Sequence, residues 1–230
     1  MSAPENPTCA LCPYDWSERY CRRDKGKGPK NCPSLLARDL KEEAAALVGD
    51  PEILAFSRNC SMQEAAGYGG REQGYARVHP VKPRLLEIVE FAQRMGYRKL
   101  ALIFCVGLRK EAAIVHGMFE DHGFETVSVI CKVGRVPKSA IGIERENQVD
   151  PTVEVETMCN PVMQALVANR SGAELNVLLG LCVGHDSLFI RHAAAPVTVL
   201  AVKDRLLGHN PLAAVYTYDS YYRSLKTPKD

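Results

Sequence analysis

The chain has few of the features that bring a protein to a membrane or a nucleic acid. Its 230 residues carry a formal net charge of only +2, and no long basic stripe interrupts them, so phosphate backbones and anionic lipid surfaces find no concentrated charge to bind. No apolar run approaches the length needed to span a bilayer. The opening Met-Ser-Ala-Pro-Glu-Asn-Pro has neither the cationic start nor the apolar stretch of a secretory signal. Aromatic residues make up 7% with a single Trp, and there is no internal repeat or low-complexity tract. These absences lead us to expect a cytoplasmic protein with neither a nucleic-acid nor a membrane partner. Gly67-Tyr68-Gly69-Gly70 lacks the lysine and flanking strand of a phosphate-binding loop, and reads as a flexible connection.

Cysteine, by contrast, is abundant. The nine cysteines fall into two groups of four, with Cys60 left over. In a reducing cytosol, paired cysteines are more often metal ligands or catalytic groups than disulfides, and an odd count argues against a complete disulfide framework. Cys9, Cys12, Cys21 and Cys32 crowd a stretch with few large aliphatic residues beyond Leu11. That stretch cannot make a core, but metal binding would supply cohesion because binding energy at a structural site becomes folding energy. Cys9 and Cys12 form a Cys-x-x-Cys knuckle, while Cys21 and Cys32 depart from a second one. Four thiolates suit zinc or an iron–sulfur cluster, and ligand count does not separate the two.

From Ser34 onward the pattern is helical, with Ser34 placed as a cap. A second helix is expected from Asp50-Pro51 towards Arg58. The later chain alternates helices with short apolar strands: a helix over 83–95, a strand over 99–104, a helix over 106–122, and a strand over 126–130. A long charged connection over 133–155 follows, then a helix over 160–169, a strand over 176–181, a helix over 187–192 and a strand over 197–202. This order predicts an α/β fold, an open and mostly parallel Rossmann-like sheet flanked by helices. Three parts follow: a cysteine-rich metal-binding module over 1–33, a helical connector over 34–74 and an α/β domain over 75–230.

The second group, Cys105, Cys131, Cys159 and Cys182, belongs to that domain. Cys105, Cys131 and Cys182 each end an apolar run and are followed within three residues by glycine, while Cys159 in Met-Cys-Asn-Pro precedes a helix start. In open parallel sheets, ligands bind outside the carboxyl ends of the strands, so the four thiols are expected to share one edge and to hold a [4Fe–4S] cluster. The bland alternative is four core cysteines, since cysteine is among the most buried residue types. His185 is placed to carry protons at the same rim, with Asp186 orienting it or capping the next helix. Lys203-Asp204-Arg205 offers charge for a small anionic substrate.

The opening Cys-Ala-Leu-Cys-Pro, the central Met-Cys-Asn-Pro, Gly-Leu-Cys-Val-Gly-His-Asp-Ser-Leu-Phe and Lys-Asp-Arg-Leu-Leu-Gly-His-Asn-Pro together resemble the DUF1847 family over nearly the whole chain. The resemblance implies N-terminal cysteines suspected of binding metal and assigns no reaction. Our leading expectation is a cytosolic metalloprotein with an N-terminal structural metal and an iron–sulfur centre serving redox or sulfur-transfer chemistry. Two alternatives stay open: a non-catalytic metal-binding or metal-sensing protein, and a metal-independent thiol enzyme in which Cys182, with His185 nearby, is the nucleophile.

Overall fold

The computed structural model describes residues 6–227 and divides between Met62 and Gln63 into two compact units. In the first, short 3-10 turns at Cys9–Leu11 and Trp16–Glu18 precede α1 (Pro33–Leu36), α2 (Arg38–Val48) and the start of α3 (Pro51–Ala66). Ser34 lies inside α1 instead of capping it, and Cys32 takes the cap position. Asp50 does cap α3, its Oδ1 accepting from the N–H groups of Glu52 and Ile53. None of the residues 6–62 is buried.

The second unit contains a two-residue ribbon, β1 (Tyr68–Gly69) against β2 (His79–Pro80), and then the α/β body. Its elements run α4 (Arg84–Arg94), β3 (Lys99–Phe104), α5 (Arg109–Asp121), β4 (Glu125–Ile130), α6 (Pro161–Ser171), β5 (Leu175–Leu179), α7 (His185–His192), β6 (Val197–Ala201) and α8 (Leu212–Tyr216). The four long strands pair in parallel in the order β4-β3-β5-β6.

Side-chain alternation along β3 builds a core on each face of the sheet. Leu100, Leu102 and Phe104 pack with Val89 of α4 and with Val115 and Phe119 of α5. Ala101 and Ile103 pack with Ala165 and Ala168 of α6 and Phe189 of α7. A strand covered on both faces must be apolar throughout, as Leu-Ala-Leu-Ile-Phe is. The chain leaves β3 towards β4 on one flank and returns to β5 on the other, so the carboxyl ends of β3 and β5 flank a topological switch point, where open α/β sheets bind ligands.

Candidate functional site

Strand register aligns the thiols. Phe104 pairs with Ile130 on one side and with Leu179 on the other, which brings Cys105 and Cys131 off the same edge of the sheet. The ladders continue one step beyond the strands, as Cys105 N–H donates to Leu179 O at 3.2 Å and Cys131 N–H to Phe104 O at 2.9 Å.

Cys159 is delivered to this edge by the loop that follows Cys131. Lys132 Nζ donates to Thr157 O, Met158 N–H to Val136 O at 2.8 Å and Asn160 N–H to Cys131 O at 2.8 Å. Asn160 then caps α6, its Oδ1 accepting from Met163 N–H at 3.0 Å, with Pro161 in the first turn. One turn further, the fully buried Gln164 donates from Nε2 to Val129 O at 2.8 Å and to Phe104 O at 3.2 Å. Gln164 therefore ties the start of α6 to both strands that carry the thiols. A lone glutamine inside the apolar run Pro-Val-Met-Gln-Ala-Leu-Val-Ala was the available signal for it, and our sequence reading missed it.

Cys131 is the middle thiol of three. It shares a hydrogen bond with Cys159 at an Sγ–Sγ separation of 3.7 Å, hydrogen-bonds with Cys105 on its other side, and accepts from Val106 N–H at 3.3 Å. Cys105 and Cys131 are 7% and 2% exposed, whereas Cys159 is half-buried. His185, the first residue of α7, hydrogen-bonds with Cys159. Gly184, at φ +84°, makes the turn that starts this helix.

The shifts in the trio alternate in direction. The hydrogen bond to Cys131 brings the Cys105 thiol down to about 5, helped by Gly107 N–H and the Lys203 ammonium. Cys159 comes down to about 4, first through Cys131 and then through His185, with Lys132 adding positive charge. His185 is raised, chiefly because its bond to Cys159 favours the imidazolium. Cys131, flanked by two thiolates and buried, is pushed up and keeps its proton. The groups that favour ionisation stand at the two ends of the row, His185 beside Cys159 and Lys203 beside Cys105. Low-pKa thiolates beside cationic groups and helix starts are the reactive kind.

Cys182 has a partner of its own. β5 ends at Leu179, two further residues intervene, and the Cys182 thiol accepts from Arg205 Nη2 at 3.0 Å. Its carbonyl accepts from the N–H groups of His185 and Asp186. Asp186 Oδ1 accepts from Ser187 N–H at 2.8 Å, and its charge also favours the His185 imidazolium. Asp204 accepts from the N–H groups of Leu206 and Leu207, and its own N–H donates to His209 Nδ1 at 3.1 Å, so His209 closes the turn after β6.

The N-terminal four also come together. Cys9, Cys12, Cys21 and Cys32 line one cavity of about 70 Å³, alongside Arg19 and Lys27. Cys12 N–H bonds to Cys9 O, and Gly28 lies so close to Cys32 that a Cβ there would meet its Sγ at 2.9 Å. Among the described residues, however, no group of three or more His, Cys, Asp or Glu side chains is arranged to hold a metal ion as it stands.

Comparison with known proteins adds a family and no reaction. The model of a protein family of unknown function, DUF1847, matches residues 32–200. An uncharacterized protein of Methanocaldococcus jannaschii is 44% identical over 147 residues, covering 64% of this chain and 72% of the relative. The family match takes in Cys32, Cys105, Cys131, Cys159, Cys182 and His185.

Proposed function

The chain belongs to the DUF1847 family, and from the geometry of its own thiols we propose that it is a thiol-dependent redox enzyme acting at the switch-point edge of its sheet. Cys159 is the nucleophile, His185 the cation that holds it as thiolate and returns protons, and Cys131 the neighbouring thiol that closes a disulfide with it. The observation that carries this reading is the Cys131–Cys159 separation of 3.7 Å, with His185 bonded to the more exposed partner. A disulfide bond of about 2.05 Å is within reach of small side-chain motion. Lys203, beside Cys105, and Arg205, on Cys182, supply charge for a small anionic substrate.

The test uses an anionic disulfide with a chromogenic thiol, dithiobis(nitrobenzoate), at pH 6. An ordinary cysteine is less than about 1% thiolate there, whereas Cys159 is ionised. After allowance for the lower intrinsic nucleophilicity of a low-pKa thiolate, Cys159→Ser should slow the fast phase at least about tenfold. Cys182→Ser should leave it intact. A fast phase that survives in Cys159→Ser and disappears in Cys182→Ser would return the nucleophile to Cys182.

A second reading places a soft metal ion on the same thiols. Two thiolates bound at about 2.3 Å to a tetrahedral ion stand roughly 3.8 Å apart, close to the Cys131–Cys159 separation. In a four-iron cluster each cysteine binds a different iron and the sulfurs stand farther apart, so a single ion such as zinc fits this pair better than [4Fe–4S]. The reading ranks second because, among the described residues, no group of three or more His, Cys, Asp or Glu side chains is arranged to hold a metal ion. At the N-terminal cavity we assign Cys9, Cys12, Cys21 and Cys32 to a structural metal, zinc or iron–sulfur, because residues 6–62 have no buried core to hold them. Elemental analysis should find one zinc, or the iron of one cluster, per chain, lost in Cys12→Ser and retained in Cys159→Ser. Metal lost from Cys159→Ser would promote the second reading, and a metal-free wild type would remove the N-terminal assignment.

A further inference from the structure

Cys105 has no role in the chemistry above, although it touches the same middle thiol as Cys159 does. It is 7% exposed and Cys131 is 2% exposed, so a dissolved substrate meets Cys159 before either. The three cysteines come from separate segments, after β3, after β4 and before α6; Cys131 Sγ stands 3.7 Å from Cys159 Sγ and 3.3 Å from the backbone nitrogen of Val106, next to Cys105, and the Phe104–Ile130 pairing sets Cys105 and Cys131 side by side. A middle thiol with a partner on each side can form either of two disulfides, and thiol–disulfide exchange interconverts them without outside help. Resting on the thiol reading, we propose that the trio is an internal disulfide relay, in which Cys105 takes over the disulfide first formed between Cys159 and Cys131 and so returns Cys159 to its free state.

The steps balance for a low-molecular-weight disulfide, RSSR, as oxidant. Cys159 thiolate attacks one sulfur of RSSR, forming a mixed disulfide and releasing RS⁻. Cys131 gives its proton to the departing RS⁻ and attacks Cys159 Sγ; the Cys131–Cys159 bond forms and the second RS⁻ leaves. One RSSR has then been reduced to a thiol and a thiolate, which takes its proton from water, and the two protein sulfurs have been oxidised to one disulfide. Cys105 thiolate next attacks Cys131 Sγ, so that the Cys105–Cys131 bond forms as the Cys131–Cys159 bond breaks. Cys159 departs as a thiolate, which the hydrogen bond from His185 receives. Exchange interconverts the two disulfides, and the buried Cys105–Cys131 pair is shielded from the dissolved thiols that half-buried Cys159 still meets. The result is a disulfide stored in the buried pair while the half-buried nucleophile stays free.

The two oxidised forms differ in which cysteine can still be alkylated. The full chain, oxidised with one equivalent of hydroxyethyl disulfide, is treated with iodoacetamide and digested without reduction. Trypsin places the three cysteines in different peptides, so linkage is read directly by mass. Wild type should show the Cys105–Cys131 linkage with Cys159 alkylated. Cys105→Ser should trap Cys131–Cys159 and protect Cys159. A wild type that holds Cys131–Cys159 and leaves Cys105 reduced would overturn the relay while preserving the thiol reading. A wild type with no linkage among the three would overturn both, and because the wild-type measurement needs no variant, a poorly folding Cys105→Ser cannot obscure it.

Discussion

His185 serves Cys159, although in sequence it stands beside Cys182. The turn after Cys182 explains the difference: the Cys182 carbonyl accepts from His185 N–H, α7 begins at once, and the imidazole bonds to the thiol that precedes α6. Removing it should raise the Cys159 pKa, because one of the two main groups that favour the thiolate is lost. The expected result for His185→Ala is a thiol-exchange rate about tenfold lower at pH 6 that recovers above roughly pH 9, where an ordinary cysteine is ionised anyway. A stopped-flow pH profile checks this, and an unchanged profile would show that Cys131 alone holds Cys159 ionised. The cysteines themselves were legible as candidates from their strand-end positions. Lys203 was legible only as charge for a substrate, and Lys132 and Gln164 not at all, because they are ordinary residues in sequence and acquire roles only through the loop and helix start that bring them to the edge.

Most elements could be read from periodicity, and the departures have local causes. The strand over 99–104 matches β3, whose residues are buried on both faces and therefore uniformly apolar. β5 stops at Leu179, short of the expected 181, where Gly180 turns at φ +71° and a Cβ would meet Leu108 Cδ1 at 2.1 Å. α3 continues to Ala66, past the expected end near Arg58, since no glycine or proline interrupts it before Gly67. At this scale α6 matters most to the site, because its first turn joins Cys131, Asn160 and Gln164. Asn160→Ala should cost about 1 kcal/mol through loss of the cap. Gln164→Leu should cost about 1 to 3 kcal/mol, since it removes a buried donor to two strand carbonyls. Urea unfolding checks both; a neutral Gln164→Leu would mean that the strand ends hold together without it.

The molecule joins two units with different sources of cohesion. The α/β unit has an apolar core on each face of its sheet, while in residues 6–62 no residue is buried and four cysteines line a small cavity. Among the described residues, no helix is long and apolar enough to cross a membrane. The α/β alternation and the N-terminal cysteine cluster were both visible in sequence. The contacts around Cys131 were not, because they depend on register and on the loop that returns Cys159 to the sheet edge. The ionisation of Cys159 is tested most directly by pH-resolved alkylation of the intact chain, with the cysteines separated by peptide mass spectrometry. We predict that Cys159 is modified by iodoacetamide at pH 6 at a rate that changes little down to about pH 5, in keeping with a thiol held down to about 4. Cys60, exposed but with a thiol raised by partial desolvation, should react appreciably only in alkaline solution. If Cys159 instead titrates near the ordinary cysteine value of about 8.5, or is labelled no faster than Cys60 at pH 6, the thiolate site does not exist.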